Sequence, residues 1–109
     1  MAARSADPEP LASADDRTAA LAALFRLLGD ATRLRIVLCC LAAPVAVGAI
    51  AERLQLSGSL VSHHLRLLRA ARIVRAARQG KQVFYTAADD HIRAIVAAML
   101  EHVAEPERL

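Results

Sequence analysis

The stretch SGSLVSHHLRLLRAARIV, residues 57–74, decides the fold. Its apolar residues recur at helical spacing: Val61, Leu65 and Leu68. This period predicts a helix that begins near Ser59 and buries one face. A second helix is predicted at residues 47–54, joined to the first by a short turn at residues 56–58. Two helices connected by a tight turn are a candidate helix-turn-helix motif.

The residues after this motif change period. Residues 73–78 and 82–86 alternate as strands do around Gln79 and Gly80, which predicts a β-hairpin. Helical spacing then returns in a terminal helix that ends near Pro106. Its apolar positions are Ile92, Ile95, Val96, Met99, Leu100 and Val103.

Two more helices are predicted upstream of the motif. The first has Ser13 as its N-cap and Asp15 and Asp16 in its first turn, where they complement the helix dipole. Gly29 ends this helix, and the second is broken before Pro44. Their apolar stripes are Leu21, Leu24, Phe25 and Leu28 in the first and Leu34, Val37, Leu38 and Leu41 in the second.

This order of elements predicts a mainly α fold with a β-hairpin wing, a winged helix-turn-helix followed by a terminal helix. Residues 1–11 carry two prolines and no apolar period, so we expect a flexible N-terminal tail. Residues 12–109 then form one winged helix-turn-helix domain.

Composition narrows the class of protein. The 109 residues suit a single domain, and the formal net charge of +3 suits a polyanionic partner. No apolar run approaches the roughly 20 residues of a membrane span, and no stretch is typical of a signal peptide. We therefore expect a cytoplasmic protein with no membrane partner. Cys39 and Cys40 are the only cysteines, which excludes a disulfide framework and a multi-cysteine zinc ribbon.

Polar residues on the second motif helix and on the hairpin predict a DNA-binding surface. Short donors and a long cation on the helix can contact phosphates or base edges in a major groove. Cations near the hairpin tip can follow the backbone beside it. The candidates are Ser59, Ser62, His63 and Arg66 on the helix and Arg75, Arg78 and Lys81 on the hairpin. We expect His64, on the apolar side, to be packed or hydrogen-bonded. The alternative is that the polar face is merely solvated.

Two donor pairs on the terminal helix predict a metal site. His91 and His102 are eleven residues apart, so at about 100° per residue they return to within about 20° of one another. Asp89 can place its carboxylate beside His91, and Glu105 lies within about 60° of both histidines on a helix. Eleven residues of helix span about 16 Å, whereas zinc bonds to nitrogen and oxygen are about 2 Å long. One chain therefore cannot close the site.

An antiparallel copy of the same helix solves this distance problem. It sets Asp89 and His91 of one chain opposite His102 and Glu105 of the other and gives two equivalent sites. The apolar stripe beside the histidines can supply the contact of a homodimer. Two carboxylates and two neutral imidazoles balance a dication, and a tetrahedral N2O2 set favours Zn(II), with Co(II) as a substitute. The alternative is that the histidines are boundary residues and the acids are caps or surface charges.

Three segments resemble a known family: LFRLLGDATRLRIV at residues 24–37, SGSLVSHHLRLLRAARIV at residues 57–74 and RQGKQVFYTAADDHI at residues 78–92. Together they resemble the ArsR/SmtB metalloregulators, small bacterial winged-helix repressors, over about residues 20–105. The resemblance implies a homodimer that binds operator DNA and blocks transcription until a metal ion binds and weakens the complex.

The resemblance also implies which metal is sensed. In the zinc-sensing branch the terminal-helix site reads Asp-x-His, ten residues, His-x-x-Glu, and this chain matches it with Asp89, His91, His102 and Glu105. The Cys-x-Cys box of the arsenic, cadmium and lead branches has no counterpart at residues 45–49. The further histidines that nickel-binding branches recruit are missing too. By the same resemblance, His102 is expected to connect metal binding to the recognition helix.

Several other functions stay open from the sequence alone. The same DNA-binding fold could respond to thiol oxidation or arsenite through Cys39 and Cys40, or to another divalent metal such as Ni(II). Neighbouring helix residues diverge by about 100°, however, and make a poor chelate. A zinc hydrolase built on His102 and Glu105 would need a positioned base, and no nucleophile constellation occurs. We expect neither an enzyme nor a small organic substrate. A purely helical interaction module would leave the basic hairpin unexplained.

Overall fold

The computed structural model describes residues 13–107, and the predicted tail at residues 1–11 lies outside them. Within the described range, the chain forms helices and one small sheet in the predicted order. The elements are α1 (Ala14–Leu28), α2 (Ala31–Cys39), β1 (Val45–Ala46), α3 (Val47–Leu54), α4 (Gly58–Ala70), β2 (Val74–Gln79), β3 (Gln82–Ala87) and α5 (Asp90–Ala104). This confirms the predicted fold class, a mainly helical domain with a hairpin wing.

Short polar side chains fix where four of the helices begin. Ser13 accepts a hydrogen bond from the N–H of Asp16 at 3.0 Å, as predicted for the N-cap of α1. Asp30, Ser57 and Asp89 accept equivalent bonds at the starts of α2, α4 and α5, at 2.9, 3.1 and 3.0 Å. Because Ser57 is the cap, α4 begins at Gly58. The predicted start near Ser59 was one residue late.

The sheet is antiparallel, with the order β1-β3-β2. Its two-residue strand β1 pairs with Tyr85 and Phe84 of β3 and was not predicted. In the hairpin, Gln79 pairs with Gln82, so the loop consists of Gly80 and Lys81. The predicted turn at Gln79 and Gly80 was therefore one residue early. Gly80 has a φ of +64°, a backbone conformation that glycine adopts without steric cost.

The hydrophobic core lies between α2, α3, α4 and the base of the hairpin. Its fully buried side chains are Ile36, Val37, Cys40, Ile50, Val61, Leu65, Leu68, Ile73 and Val74. Helix α5 adds only Val96, and α1 adds no buried residue. Leu41, predicted on the stripe of α2, follows the end of that helix at Cys39.

Hydrogen bonds to the end of α2 fasten the hairpin and α5 onto this core. The carbonyl oxygen of Cys40 accepts from the backbone N–H of Ala87 at 3.0 Å and from the buried hydroxyl of Thr86 at 3.3 Å. Arg93 on α5 donates from Nε to the carbonyl oxygen of Leu41 at 2.9 Å. The start of α5 is thus held in place, while the rest of that helix runs on with little burial.

Candidate nucleic-acid interface and metal centre

Helix α4 presents its predicted polar residues on the side away from the core. Ser59, His63 and Arg66 are exposed, and Ser62 is half-buried at the edge of that face. The hydroxyl oxygens of Ser57 and Ser59 lie 3.4 Å apart, so two short donors sit together at the first turn. The first turn of a second motif helix is the part that enters a major groove. The arrangement suits contact with phosphates and base edges.

His64 lies on the side of α4 that faces α2. It is half-buried, and its Nδ1 is shielded from solvent without a hydrogen-bond partner among the described residues. The expectation that it is packed agrees with this position, whereas a hydrogen bond from Nδ1 is not formed. Asp30 lies near His64. The hydrogen bond from the N–H of Arg33, followed by the charges of Arg33 and His64, lowers the pKa of Asp30 from its ordinary value.

The cations of the hairpin fall into two groups. Arg78 and Lys81 are exposed beside the loop, as predicted. Arg75 pairs in register with Thr86 at the base of the hairpin, where β2 begins. It lies three positions before Arg78 in the strand, a distance of about 10 Å. The prediction that placed Arg75 near the tip is corrected accordingly.

The first predicted donor pair lies at the start of α5. The Nδ1 of His91 lies 3.6 Å from Oδ1 of Asp89, and the two side chains are 91% and 54% exposed. Asp89 accepts the N–H of Ile92, and this hydrogen bond, followed by the nearby imidazole, lowers the pKa of its carboxyl from the ordinary value. An ionised carboxylate beside an accessible imidazole is a donor pair open to a metal ion.

The second predicted pair lies at the far end of α5, where the helix stops. His102 and Glu105 are both exposed. Glu105 is the C-cap of the helix, with backbone angles of φ −70° and ψ 140°, and its N–H donates to the carbonyl oxygen of His102 at 3.2 Å. Because φ of Glu105 is helical and only its ψ is extended, the chain turns away from the helix after this residue.

Within residues 13–107, no group of three or more histidine, cysteine or carboxylate side chains is arranged to hold a metal ion. His91 and His102 are eleven positions apart on the helix, which keeps the two pairs about 16 Å apart. The two predicted donor pairs are thus separated within one chain, as the sequence predicts.

An apolar groove runs along α5 on the side next to α1 and α2. Its volume is about 360 Å³. Side chains around it stay open to solvent, including Val103, which is 77% exposed. The lining residues are Phe25, Leu28, Gly29, Leu34, Leu38, Ile95, Val96, Met99, Leu100 and Val103. A soluble domain seldom leaves such a continuous apolar patch uncovered.

The two cysteines are free and differ in their surroundings. Cys40 is fully buried in the core, and Cys39 is half-buried. Burial, with a smaller contribution from the neighbouring Cys39, raises the pKa of the Cys40 thiol to about 12. A neutral thiol is a poor nucleophile and a poor metal ligand, so Cys40 is unsuited to sensing at neutral pH.

A second concavity contains cations that sequence analysis overlooked. Arg69 at the end of α4 and Arg72 in the following turn line it together with Arg75. The chain carries an arginine at every third position from Arg66 to Arg78, a spacing that could have singled them out. Asp89 and His91 lie along the same concavity.

The fold and these exposed cations define a winged helix-turn-helix regulator, and comparison with known proteins gives the family. Residues 30–76 match the family model described as "Bacterial regulatory protein, arsR family". A transcriptional repressor SmtB homolog from Synechocystis sp. is 32% identical over 104 residues, which cover 95% of this chain and 77% of that protein. The chain therefore belongs to the arsR family of bacterial regulatory proteins.

Two further likenesses agree with this family. A cadmium resistance transcriptional regulatory protein CadC homolog from Staphylococcus aureus is 33% identical over 86 residues, which cover 78% of this chain and 71% of that protein. A solved homodimeric winged helix-turn-helix DNA-binding domain from Mycobacterium bovis is 23% identical, with a TM-score of 0.76, and the match covers 91% of this chain and 98% of that one. It shows the fold.

Membership confirms the predicted resemblance to ArsR/SmtB metalloregulators. The chain is a DNA-binding transcriptional regulator rather than an enzyme, and the predicted partners, duplex DNA and a second copy, agree with its relatives. Across the described residues, none of the helices combines the length and the hydropathy that crossing a membrane requires.

Proposed function

We propose that this protein is a cytoplasmic repressor that binds operator DNA as a homodimer and leaves it when Zn(II) binds between the C-terminal helices. One observation carries the proposal. Asp89 and His91 form an open donor pair at one end of α5, His102 and Glu105 lie at the other end, and an uncovered apolar face runs between them. In a single chain neither donor pair completes a four-donor site, and the apolar face stays exposed to solvent.

The apolar groove supports a second copy of the chain as the dimer partner. Phe25 on α1 and Met99 on α5 are each 55% exposed in the single chain. Two antiparallel α5 helices would cover this face by two-fold symmetry, which also sets the two kinds of donor pair opposite one another. Dimer packing and metal binding would then share one interface, within a domain that spans residues 12–109.

The donor chemistry supports zinc over a soft metal. Two neutral imidazoles and two carboxylates cancel the charge of a dication and suit tetrahedral Zn(II) or Co(II), whereas Cd(II) sites favour thiolates. Cys39 and Cys40 lie on α2 or at its end, outside this donor set, and Cys40 is held as a neutral thiol. The bound ion would supply a cross-link between two chains, with no catalytic step. Nickel would call for more donors than these four.

On the DNA side, α4 would read the major groove while the hairpin tip follows the backbone. The residues proposed for the helix are Ser59, Ser62, His63 and Arg66, and those for the hairpin are Arg78 and Lys81, with Arg75 farther from the tip. Metal and DNA then act on one dimer: if zinc binds the free dimer more tightly than the DNA-bound dimer, DNA binding weakens by the same factor. We propose His102 as the ligand that connects the two sites.

A DNA-release experiment tests the proposal. The ligand for it is a duplex selected from a random pool by the metal-free protein. Zinc should weaken binding by the wild type about 5- to 150-fold, the usual range of allosteric coupling. The His91→Ala, His102→Ala double variant should respond less than about twofold, a level taken as no coupling. A Glu101→Ala control, on the same helix, should respond as the wild type does. Zinc-induced release of the double variant would refute the sensor site.

A further inference from the structure

A second concavity of about 670 Å³ lies where α4 ends, β2 begins and α5 begins. Three arginines are among its lining residues, Arg69, Arg72 and Arg75, and all three are exposed. Apolar residues that are buried or half-buried form its remaining wall: Leu24, Ala71, Val74, Ala88 and Ile92. Its volume falls within the range of about 300–1,000 Å³ that is usual for small-molecule sites.

The positive charge in this concavity is not neutralised from within the described residues. No ion pair or side-chain hydrogen bond joins Arg69, Arg72 or Arg75 to a carboxylate there. Asp89 is the acid that lines the concavity, and its carboxylate accepts the N–H of Ile92 and lies beside His91. Three cations therefore face one carboxylate that already has partners, and they would still be in excess with Glu105 of a second copy opposite Asp89, which favours an anionic ligand.

Arg72 occupies a backbone position that does not favour arginine. Its φ is +61°, and the turn is closed by N–H bonds from Arg72 to Arg69 and from Ile73 to Leu68, both 2.9 Å long. Glycine meets this helix-ending geometry without steric cost, whereas other residues pay for the left-handed conformation. Substitution by glycine would thus remove the cation and relieve the backbone at once, which makes this residue well suited to a test.

The position of the concavity separates Arg69 and Arg72 from the proposed DNA interface, whereas Arg75 belongs to both. Ser59 and Arg69 are ten residues apart on α4, or about 15 Å along the helix axis. Arg75 is about 10 Å from Arg78 along the strand. The three cations thus lie near neither the first turn of α4 nor the hairpin tip. Guanidinium groups are the side chains best suited to bidentate contact with phosphate oxygens.

The geometry points to a binding site for a small phosphorylated molecule, held by its phosphate between Arg69, Arg72 and Arg75. An apolar or aromatic part of the ligand, such as a nucleobase, fits against Leu24 and Ile92. The molecule is a ligand and not a substrate, since no bond is made or broken. Because Asp89 and His91 line the same concavity, the site would give the regulator a second effector beside the proposed zinc ligands.

Calorimetric titration of the full chain in EDTA, with ADP and then inorganic phosphate as probes, tests this site without dependence on zinc. ADP should bind saturably and more tightly than phosphate. Arg72→Gly should weaken ADP binding at least about tenfold, the usual worth of a charge-assisted hydrogen bond, without lowering the melting temperature. Gln55→Gly is the matched control, because Gln55 also has a positive φ, 59°, at the end of α3. It should leave ADP binding unchanged.

Three results would overturn the proposal. One is the absence of saturable ADP binding, and another is an equal loss of ADP binding in Arg72→Gly and Gln55→Gly. The third comes from duplex DNA: if Arg72→Gly weakens duplex binding as much as Arg66→Gln does, the arginines serve the DNA backbone instead. The proposal expects Arg72→Gly to bind duplex DNA as the wild type does.

Discussion

The two parts of this domain differ in how far one chain can complete them. Between Asp30 and the hairpin, side chains from α2, α3, α4 and β2 bury one another almost fully. The terminal helices α1 and α5 contribute Val96 alone to the buried set, while Leu21, Phe25, Ile95, Met99, Leu100 and Val103 stay exposed. The family model matches residues 30–76, which lie within the part that is buried inside one chain.

This difference indicates where the protein can be regulated. The helix-turn-helix part has its apolar contacts within one chain, so its own fold fixes the shape of α4. In the proposed dimer the terminal helices are buried against the second chain, and their position relative to that chain would be free to respond to a ligand. The proposed zinc donors lie on α5, in the part that depends on the partner.

The largest expected effect is a lower free energy of unfolding when the core between α2, α3 and α4 is changed. Leu65 is fully buried on α4, so Leu65→Ala should lower the free energy of unfolding by about 2–5 kcal/mol, through lost burial and a cavity. Leu67→Ala, on the same helix but 38% exposed, should cost less than about 1 kcal/mol. Urea denaturation at one protein concentration measures both. Equal losses would mean that the core does not lie where the burial places it.

A smaller effect is expected at the terminal helices, where a substitution should weaken dimer formation. Leu100, 52% exposed in one chain, borders the apolar groove, so Leu100→Asp would place a charge in the proposed dimer contact. The dimer should dissociate at least about a hundredfold more readily, since burying an unpaired charge costs several kcal/mol. Sedimentation equilibrium measures this, with circular dichroism to check the fold.

Ala94→Asp provides the matched control for this assembly experiment. It adds the same charge to an exposed position on the opposite side of α5, about 170° from the centre of the apolar face. The control should remain as dimeric as the wild type. If both variants dissociated alike, or neither did, the apolar face would not be the dimer contact.

The smallest expected effect is a difference in the reactivity of the Cys40 thiol between the folded and the unfolded protein. With its pKa raised to about 12, Cys40 should stay unmodified by iodoacetamide at pH 7.5 while the protein is folded, and react once urea exposes it. The pKa of Cys40 in the folded protein lies above the ordinary value of 9.0. The neutral thiol therefore stabilises the folded state below pH 9, and this contribution to the free energy of unfolding is lost as the pH rises toward 12. Mass spectrometry of the native protein checks the labelling. Rapid labelling of Cys40 would revive thiol sensing.

Much of the fold could be predicted because caps and apolar periods agree along the chain. Ser13 and Gly29 bound α1 as expected, and α3 matches the predicted span. The misses have local causes. Strand β1 has only two residues and too short an alternation to detect, and it exists because β3 offers it a partner. The start of α4 moved because Ser57, rather than a later serine, accepts the N–H of Leu60.

The candidate site could be predicted only in part. Helix geometry alone separates His91 from His102 by too great a distance for one ion. That Glu105 caps α5 could not be predicted, because the apolar period fixes the end of a helix only approximately. Arg69, Arg72 and Arg75 line one concavity where the end of α4, the following turn and β2 meet. The spacing of residues within a single helix does not predict where separate elements meet.

Mixing two defective chains tests most directly whether the metal site is shared. One chain carries Asp89→Ser and His91→Ala, with serine keeping the helix cap, and the other carries His102→Ala and Glu105→Gln. Each alone should lack tight Co(II) binding. After joint refolding, about half of the dimers should be mixed, and each should recover one intact site, giving about a quarter of the wild-type capacity by optical titration. A mixture with no more tight binding than its components would contradict the shared site, as would either chain binding Co(II) tightly alone.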